Sequence, residues 1–317
     1  MKISFNDLKK NTEEGEKIGN LNNFRENFSD LGKVHPRNQL NDLNLLDWIK
    51  HTKTVHNFDK KAPIDEFKAK HPATFEEELP FYYIEFFTKK NDVVFDPFLG
   101  SGTTSIASSL LGRRSIGIEL NDKFIEIIKK RLEIHNINPK NHRILKGDSF
   151  RLLRSGEFKA YLEKKGIEIQ FTITSPPYHD ILKYYNNKKN EENHSFHNYG
   201  ENPYNLEKIE SYQQYLEVLI EIFKIIYKLM KNQSYLLINA MNYYDKVLFK
   251  NNKFGRQITY FAWDLAYGLS KTDWIPCGEQ IWVYPNRKLY PYGSPYVYLA
   301  NIIHSYNLIF YKDINKK

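Results

Sequence analysis

From about residue 62 to the C-terminus, short apolar runs alternate with stretches of helical periodicity, which leaves few architectures open to the chain. The candidate strands are Val93–Phe95, Ser115–Leu120, Arg143–Leu145, Ile169–Thr174, Tyr235–Asn239, Glu279–Tyr284 and Asn307–Tyr311. Between them, Asp122–His135 carries apolar residues at 124, 125, 127, 128 and 132, one face of a 3.6-residue period. Phe150–Tyr161, Tyr212–Met230 (apolar nearly all round) and Arg256–Leu269 also read as helices, and Thr74-Phe75-Glu76-Glu77-Glu78 reads as a helix start. Such alternation predicts an α/β fold: a seven-stranded, mostly parallel sheet with helices on both faces. Residues 1–61 are polar and weakly periodic apart from Leu43 to Ile49, and read as an N-terminal arm or cap on a main domain at 62–317. A polar loop at 183–207 interrupts that domain, and loops of this length are usually functional or disordered.

Composition narrows the function. Lys and Arg number 46 against 38 Asp and Glu, and the resulting +8 favours a polyanionic partner. The single cysteine, Cys277, excludes a disulfide framework and any multi-cysteine zinc or iron–sulfur site; it fits a reducing cytoplasm and reads as a small core residue. Neither a secretory signal nor a run of the roughly 20 apolar residues that cross a bilayer is present, so a cytoplasmic chain with no membrane partner is expected. His194, His197 and His304 have no acid or Cys at metal-site spacing, so no metal is expected.

Four strand ends carry chemistry. The first is Asp96-Pro97-Phe98-Leu99-Gly100-Ser101-Gly102-Thr103-Thr104, between a strand and a helix. Glycines there let a ligand approach the backbone at a helix N-terminus, although a tight turn is the plainer alternative. The run has neither dinucleotide-fingerprint spacing nor the Gly-Lys of a P-loop. Glu119 ends the next strand, about twenty residues on, where an acid can accept both ribose hydroxyls of a nucleoside-bearing cofactor. Asp148, in Gly147-Asp148-Ser149, can accept from an adenine amine or simply cap the following helix. Thr174-Ser175-Pro176-Pro177-Tyr178 follows the fourth strand. Its two prolines remove N–H donors and leave the Ser175 hydroxyl and the Ser175 and Pro176 carbonyls as acceptors beside an aromatic ring, which suits a planar group bearing an NH2.

Residues 96–104 together with 174–178 resemble the S-adenosylmethionine-dependent amino-DNA methyltransferases, which modify cytosine N4 or adenine N6. The resemblance runs from about His71-Pro72-Ala73-Thr74-Phe75 to the C-terminus and implies a Rossmann-like methyltransferase fold. It implies a cofactor site of Asp96, Pro97, Phe98, Gly100, Ser101, Gly102, Thr103, Thr104, Glu119 and Asp148, with Thr74 and Phe75 helping to enclose the methionine part. It also implies a catalytic set of Ser175, Pro176, Pro177 and Tyr178, and DNA as substrate, in a restriction-modification setting with a cognate endonuclease or second subunit as partner. Ser at the first position of that tetrad leans toward cytosine N4; Asp there would lean toward adenine. Many members are circularly permuted with the Pro-Pro-Tyr motif first, whereas here the glycine loop leads. Many also carry a separate target-recognition domain; here the arm and the 183–207 loop are the candidates.

For DNA contact the sequence offers Lys183, Tyr184, Tyr185, Lys188 and Lys189, with Arg287 and Lys288 placed to touch phosphates. Lys129-Lys130-Arg131 reads instead as a solvated helix face. Carbon-5 methylation needs a Pro-Cys nucleophile at the fourth strand, and Pro276-Cys277 enters the sixth. An RNA guanine-amine methyltransferase, a protein-glutamine methyltransferase and a non-catalytic DNA-binding subunit on the same fold are the rival readings.

Overall fold

The computed structural model describes residues 32–57, 77–179, 206, 209–245, 257–291 and 298–315. In chain order the elements are α1 (Leu45–His51), β1 (Val55–Asn57), α2 (Glu78–Phe87), β2 (Val93–Asp96), α3 (Thr103–Leu110), β3 (Arg114–Glu119), α4 (Asp122–Ile134) and β4 (His142–Lys146). There follow α5 (Ser149–Arg154), α6 (Glu157–Lys165), β5 (Ile169–Thr174), α7 (Tyr212–Leu229), β6 (Met230–Ala240), β7 (Tyr243–Asp245), β8 (Gln257–Thr259), α8 (Phe261–Ser270), β9 (Ile275–Val283) and β10 (His304–Lys312).

The main sheet runs β1-β9-β10-β6-β5-β2-β3-β4. Every pairing in it is parallel except those of β10, which is antiparallel to both β6 and β9. The chain enters at β2, builds outward through β3 and β4, then returns to the other side of β2 with β5 and β6. The order reverses between β2 and β5, and in open α/β sheets the crevice beyond the strand carboxyl ends at such a reversal is where ligands bind. The expected α/β architecture is therefore present, with all seven expected strands.

An eighth strand, β1, comes from the N-terminal residues. Val55, His56 and Asn57 pair in parallel with Ile281, Trp282 and Val283. Three residues without apolar alternation give no strand signal of their own; a partner more than two hundred positions away makes the strand. The preceding residues are tied to α2 as well: the buried Asn41 donates Nδ2 to the Phe86 carbonyl at 2.6 Å, and His51 stacks on the Tyr82 ring at 4.0 Å.

Two apolar layers fill the faces. On one, Leu219, Ile222, Phe223 and Ile226 of α7 and Leu265 of α8 pack on Phe95, Ile116, Leu236 and Ile238; on the other, Tyr83, Ile84 and Phe87 of α2 meet Val94, Phe171, Ile173 and Leu237. Burying a side chain of this size stabilises the fold by about 1.5–3 kcal/mol.

Several helix expectations are corrected. Residues 257–259 form β8 against β7, so the helix expected from Arg256 begins at Phe261. The stretch 150–161 breaks into α5 and α6 at Gly156, whose φ of 80° no right-handed helix allows. α7 is not buried all round: Gln213, Gln214, Glu217 and Lys224 face solvent.

Candidate active site

The glycine loop is held by its own backbone donors. Phe98 N–H donates to Asp96 Oδ1 at 3.0 Å, Leu99 N–H to the Ile118 carbonyl at 2.9 Å, Gly100 N–H to Glu119 Oε2 at 2.8 Å and Gly102 N–H to the Leu99 carbonyl at 2.9 Å. Two glycines permit this path. Gly102 has φ +82°, and a Cβ there would lie 2.9 Å from Ile128; at Gly117 a Cβ would lie 2.5 Å from the Leu99 side chain.

Asp96, Glu119 and Thr174 are the last residues of β2, β3 and β5, and so share the carboxyl edge of the sheet. Asp96 is 1% exposed and accepts from Thr104 Oγ1 at 2.6 Å through Oδ2 and from Thr174 Oγ1 at 2.7 Å through Oδ1. Burial raises its pKa to about 6, against the lowering effect of the Thr104, Thr174 and Phe98 donors. Glu119 is also buried; its Oε1 accepts from Asn121 N–H at 2.8 Å. Burial pushes Glu119 up to about 7, with the neighbouring Asp96 adding a smaller push. With one backbone N–H on each oxygen, the Glu119 carboxylate keeps acceptor capacity for a ribose diol. The loop and this carboxylate fit the nucleoside end of S-adenosylmethionine.

Asp148 caps α5 by accepting from Arg151 N–H at 2.8 Å, and burial raises its pKa. Next to it, Ser149 Oγ donates to the Pro97 carbonyl. Pro97, Ser101, Thr103 and Thr104 are all buried within the loop.

Past β5 the chain turns through Ser175, Pro176, Pro177 and Tyr178. Burial raises the Tyr178 pKa, against a lowering influence of the nearby Ser175 side chain and Met241 backbone. The Tyr178 ring meets Phe261 edge-on at 5.4 Å and Tyr243 at 6.1 Å. The Pro177 carbonyl is taken by the Tyr215 hydroxyl. The motif is thus braced by α7, α8 and the chain after β6. Beside β5, Asn239 on β6 donates Nδ2 to Asn307 Oδ1 at 2.7 Å and to Ser305 Oγ at 2.9 Å; isolated polar residues inside apolar runs were the only sequence trace of this buried network.

Arg131 corrects the reading of the Lys129-Lys130-Arg131 run. It is fully buried, donating Nη1 to the Ser101 carbonyl at 2.8 Å and to Thr103 Oγ1 at 3.2 Å, and Nη2 to Glu77 Oε1 at 3.0 Å. The signal was present as spacing, since 131 continues the buried 124, 127 and 128 face of α4. Cys277 is exposed on β9, not a core residue, because β1 pairs only with 281–283 and leaves the start of that strand uncovered. Arg287 and Lys288 are exposed beyond β9, with Arg287 Nη1 3.6 Å from Met241 Sδ. Thr74, Phe75, Lys183, Tyr184, Tyr185, Lys188 and Lys189 lie outside the described residues. Among the described residues no cluster of His, Cys, Asp and Glu could hold a metal ion, and no helix is long and apolar enough to cross a membrane.

Sheet order, glycine loop and strand-end acids together define an α/β protein with a ligand crevice at the point where its strand order reverses. Residues 1–130 match the DNA methylase family model N6_N4_Mtase. The chain is 35% identical over 98 residues to the orphan methyltransferase M.BamHII of Bacillus amyloliquefaciens, covering 31% of this chain and 36% of that protein. It is 38% identical over 87 residues to the type II methyltransferase M2.DpnII of Streptococcus pneumoniae, covering 27% and 32%. The matches thus span about a third of each of these relatives. Among solved structures, TrmN from Thermus thermophilus aligns with a TM-score of 0.45 at 10% identity, over 78% of this chain and 52% of that one. The resemblance to amino-DNA methyltransferases is borne out by these relatives and by the family model, which takes in the glycine loop and ends before residues 174–178.

Proposed function

We propose that this chain is an S-adenosylmethionine-dependent DNA methyltransferase that acts on the exocyclic amine of a flipped base, with cytosine N4 as the target. The observation that carries the reading is the Asp96 carboxylate, which accepts at once from Thr104 of the glycine loop and from Thr174, the residue before Ser175. One buried side chain thereby fixes the relative position of the nucleoside site and the amine site.

Bound S-adenosylmethionine supplies an electrophilic methyl group. The chain's own work lies in orientation. Glu119 and the 98–102 backbone hold the nucleoside; Ser175 and the Pro176 carbonyl accept from the target amine. An exocyclic amine is a poor nucleophile because its lone pair is conjugated with the ring. Two acceptors would pull the nitrogen toward tetrahedral geometry and free that pair to take the methyl, the amine then shedding one proton to solvent, so positioning would supply much of the acceleration. The Ser175 hydroxyl oxygen carries two lone pairs that can accept from the amine. Pro177 is spent on Tyr215 and serves to brace the turn. The target base has to leave the stack to reach this edge of the sheet. Tyr178 stacks on it, and residues 183–189 with Arg287 and Lys288 supply phosphate contacts.

Target reading falls to residues 1–61 and the 183–207 loop, beside the catalytic domain at 62–317, in a restriction-modification setting in the cytoplasm with a cognate endonuclease or second subunit. Labelled S-adenosylmethionine offered with DNA, RNA and protein substrates tests the reading: label enters DNA if it holds, and labelling of RNA or protein alone refutes it.

A further inference from the structure

We infer that Arg131 and Glu77 form a positioning pair that sets the glycine loop for the cofactor, an inference that rests on the cofactor reading above. α4 supports the loop from behind at two adjacent points of one face. The Ile128 side chain lies 2.9 Å from where a Cβ on Gly102 would be, and Arg131 reaches the Ser101 carbonyl at 2.8 Å and Thr103 Oγ1 at 3.2 Å. The Ser101–Gly102 peptide is therefore held at both ends: its carbonyl by Arg131, its N–H by the Leu99 carbonyl at 2.9 Å. That peptide lies at the N-terminus of α3, and its orientation sets the path by which the loop enters that helix.

The second arm of the guanidinium goes elsewhere. Nη2 meets Glu77 Oε1 at 3.0 Å, with the Arg131 side chain fully buried and that of Glu77 9% exposed. Glu77 directly precedes α2 and lies within His71–Phe87, the segment that the family resemblance assigns to helping enclose the methionine part. One planar fork thus joins the glycine loop to the residue that opens α2. Lysine presents a point charge and cannot bridge two acceptors in fixed directions as guanidinium does. A helix crossing beneath the loop needs only an apolar side chain to pack; a buried cation at 131 is explained by what it orients.

Neither residue touches the reacting atoms, so both act through the loop. The experiment is calorimetric titration of S-adenosylmethionine into the full chain without DNA, for native protein, Arg131→Lys, Arg131→Gln, Glu77→Gln and the Arg131→Gln/Glu77→Gln double variant. Melting temperatures are recorded alongside. Expected is a Kd raised about tenfold to a hundredfold in Arg131→Gln, the worth of one or two charge-assisted hydrogen bonds. Arg131→Lys should recover only part of that, Glu77→Gln should weaken binding in the same sense, and the double variant should be no worse than Arg131→Gln alone. Steady-state kinetics should show a raised KM for S-adenosylmethionine with kcat changed less. Glu77→Gln leaves the loop contacts intact and keeps the test readable if the Arg131 variants do not fold. Folded variants that bind as tightly as native protein would overturn the pair's role and leave the cofactor reading standing. A native chain that takes up no S-adenosylmethionine would overturn both.

Discussion

The Thr174 hydroxyl donates to Asp96 Oδ1 across 2.7 Å, linking residues 78 positions apart at the ends of adjacent parallel strands. Both are buried, and Thr104 completes the contact from the helix side. Replacing Thr174 with Val keeps the shape of the side chain and removes the donor. A hydrogen bond to a buried carboxylate is worth about 1.5–3 kcal/mol. Denaturant titration of Thr174→Val should show a loss of that size, and methyl transfer should fall further than cofactor affinity, because the link joins the two half-sites.

Glu119 makes cofactor binding depend on pH. Burial holds its pKa at about 7 against an ordinary 4.5, so without ligand it is protonated below neutrality. Only the ionised carboxylate accepts from both ribose hydroxyls. The Kd for S-adenosylmethionine should rise about tenfold for each pH unit below 7 and level off above it. Glu119→Gln should bind weakly and without this dependence.

The same shift has a consequence for stability without ligand. A carboxyl whose folded pKa lies above its unfolded value contributes fully below pH 4.5 and loses that contribution as pH rises through 7. His142, lowered by burial to about 4 from 6.5, works in the opposite direction. Native protein compared with Glu119→Gln across pH 4.5–7 therefore isolates the carboxyl: melting temperature should fall more with rising pH in the native chain.

Gly102 is held by both conformation and space. Gly102→Ala places a side chain at φ +82° and 2.9 Å from Ile128. The strain alone should cost about 1–3 kcal/mol. Trimming the neighbour in Gly102→Ala/Ile128→Ala should relieve the clash but not the strain, so its cofactor affinity should stay below that of Ile128→Ala alone.

Tyr178 separates ring from hydroxyl. Tyr178→Phe keeps the packing on Phe261 and Tyr243 but removes the hydroxyl beside Ser175. Transfer should fall while the melting temperature barely moves. Tyr178→Ala removes a partly buried ring packed against the core and should lower the melting temperature as well.

Much of this was legible in the chain itself. Val93–Phe95 and Ile169–Thr174 announced strands because both of their faces are buried, and Asp122–His135 announced a helix by its period. The two motifs marked strand ends because glycine and proline have few other uses there. What the sequence hid was made by distant partners. β1 exists because Ile281 N–H bonds to the Thr54 carbonyl, and Arg131 is buried because Ser101 and Glu77 converge on it. A basic residue in a basic run looks solvated until its acceptors are known. Gln257–Thr259 became a strand only through Tyr243–Asp245.

The most direct test of direct transfer to a base amine at Ser175 is nucleoside mass spectrometry of unmethylated DNA after incubation with S-adenosylmethionine, using native chain and Ser175→Ala. N4-methylcytosine should appear with the native chain and be lost in Ser175→Ala, with cofactor binding retained. N6-methyladenine would keep the mechanism and reverse the base assignment. Undiminished product from Ser175→Ala, or 5-methylcytosine from the native chain, would contradict the account.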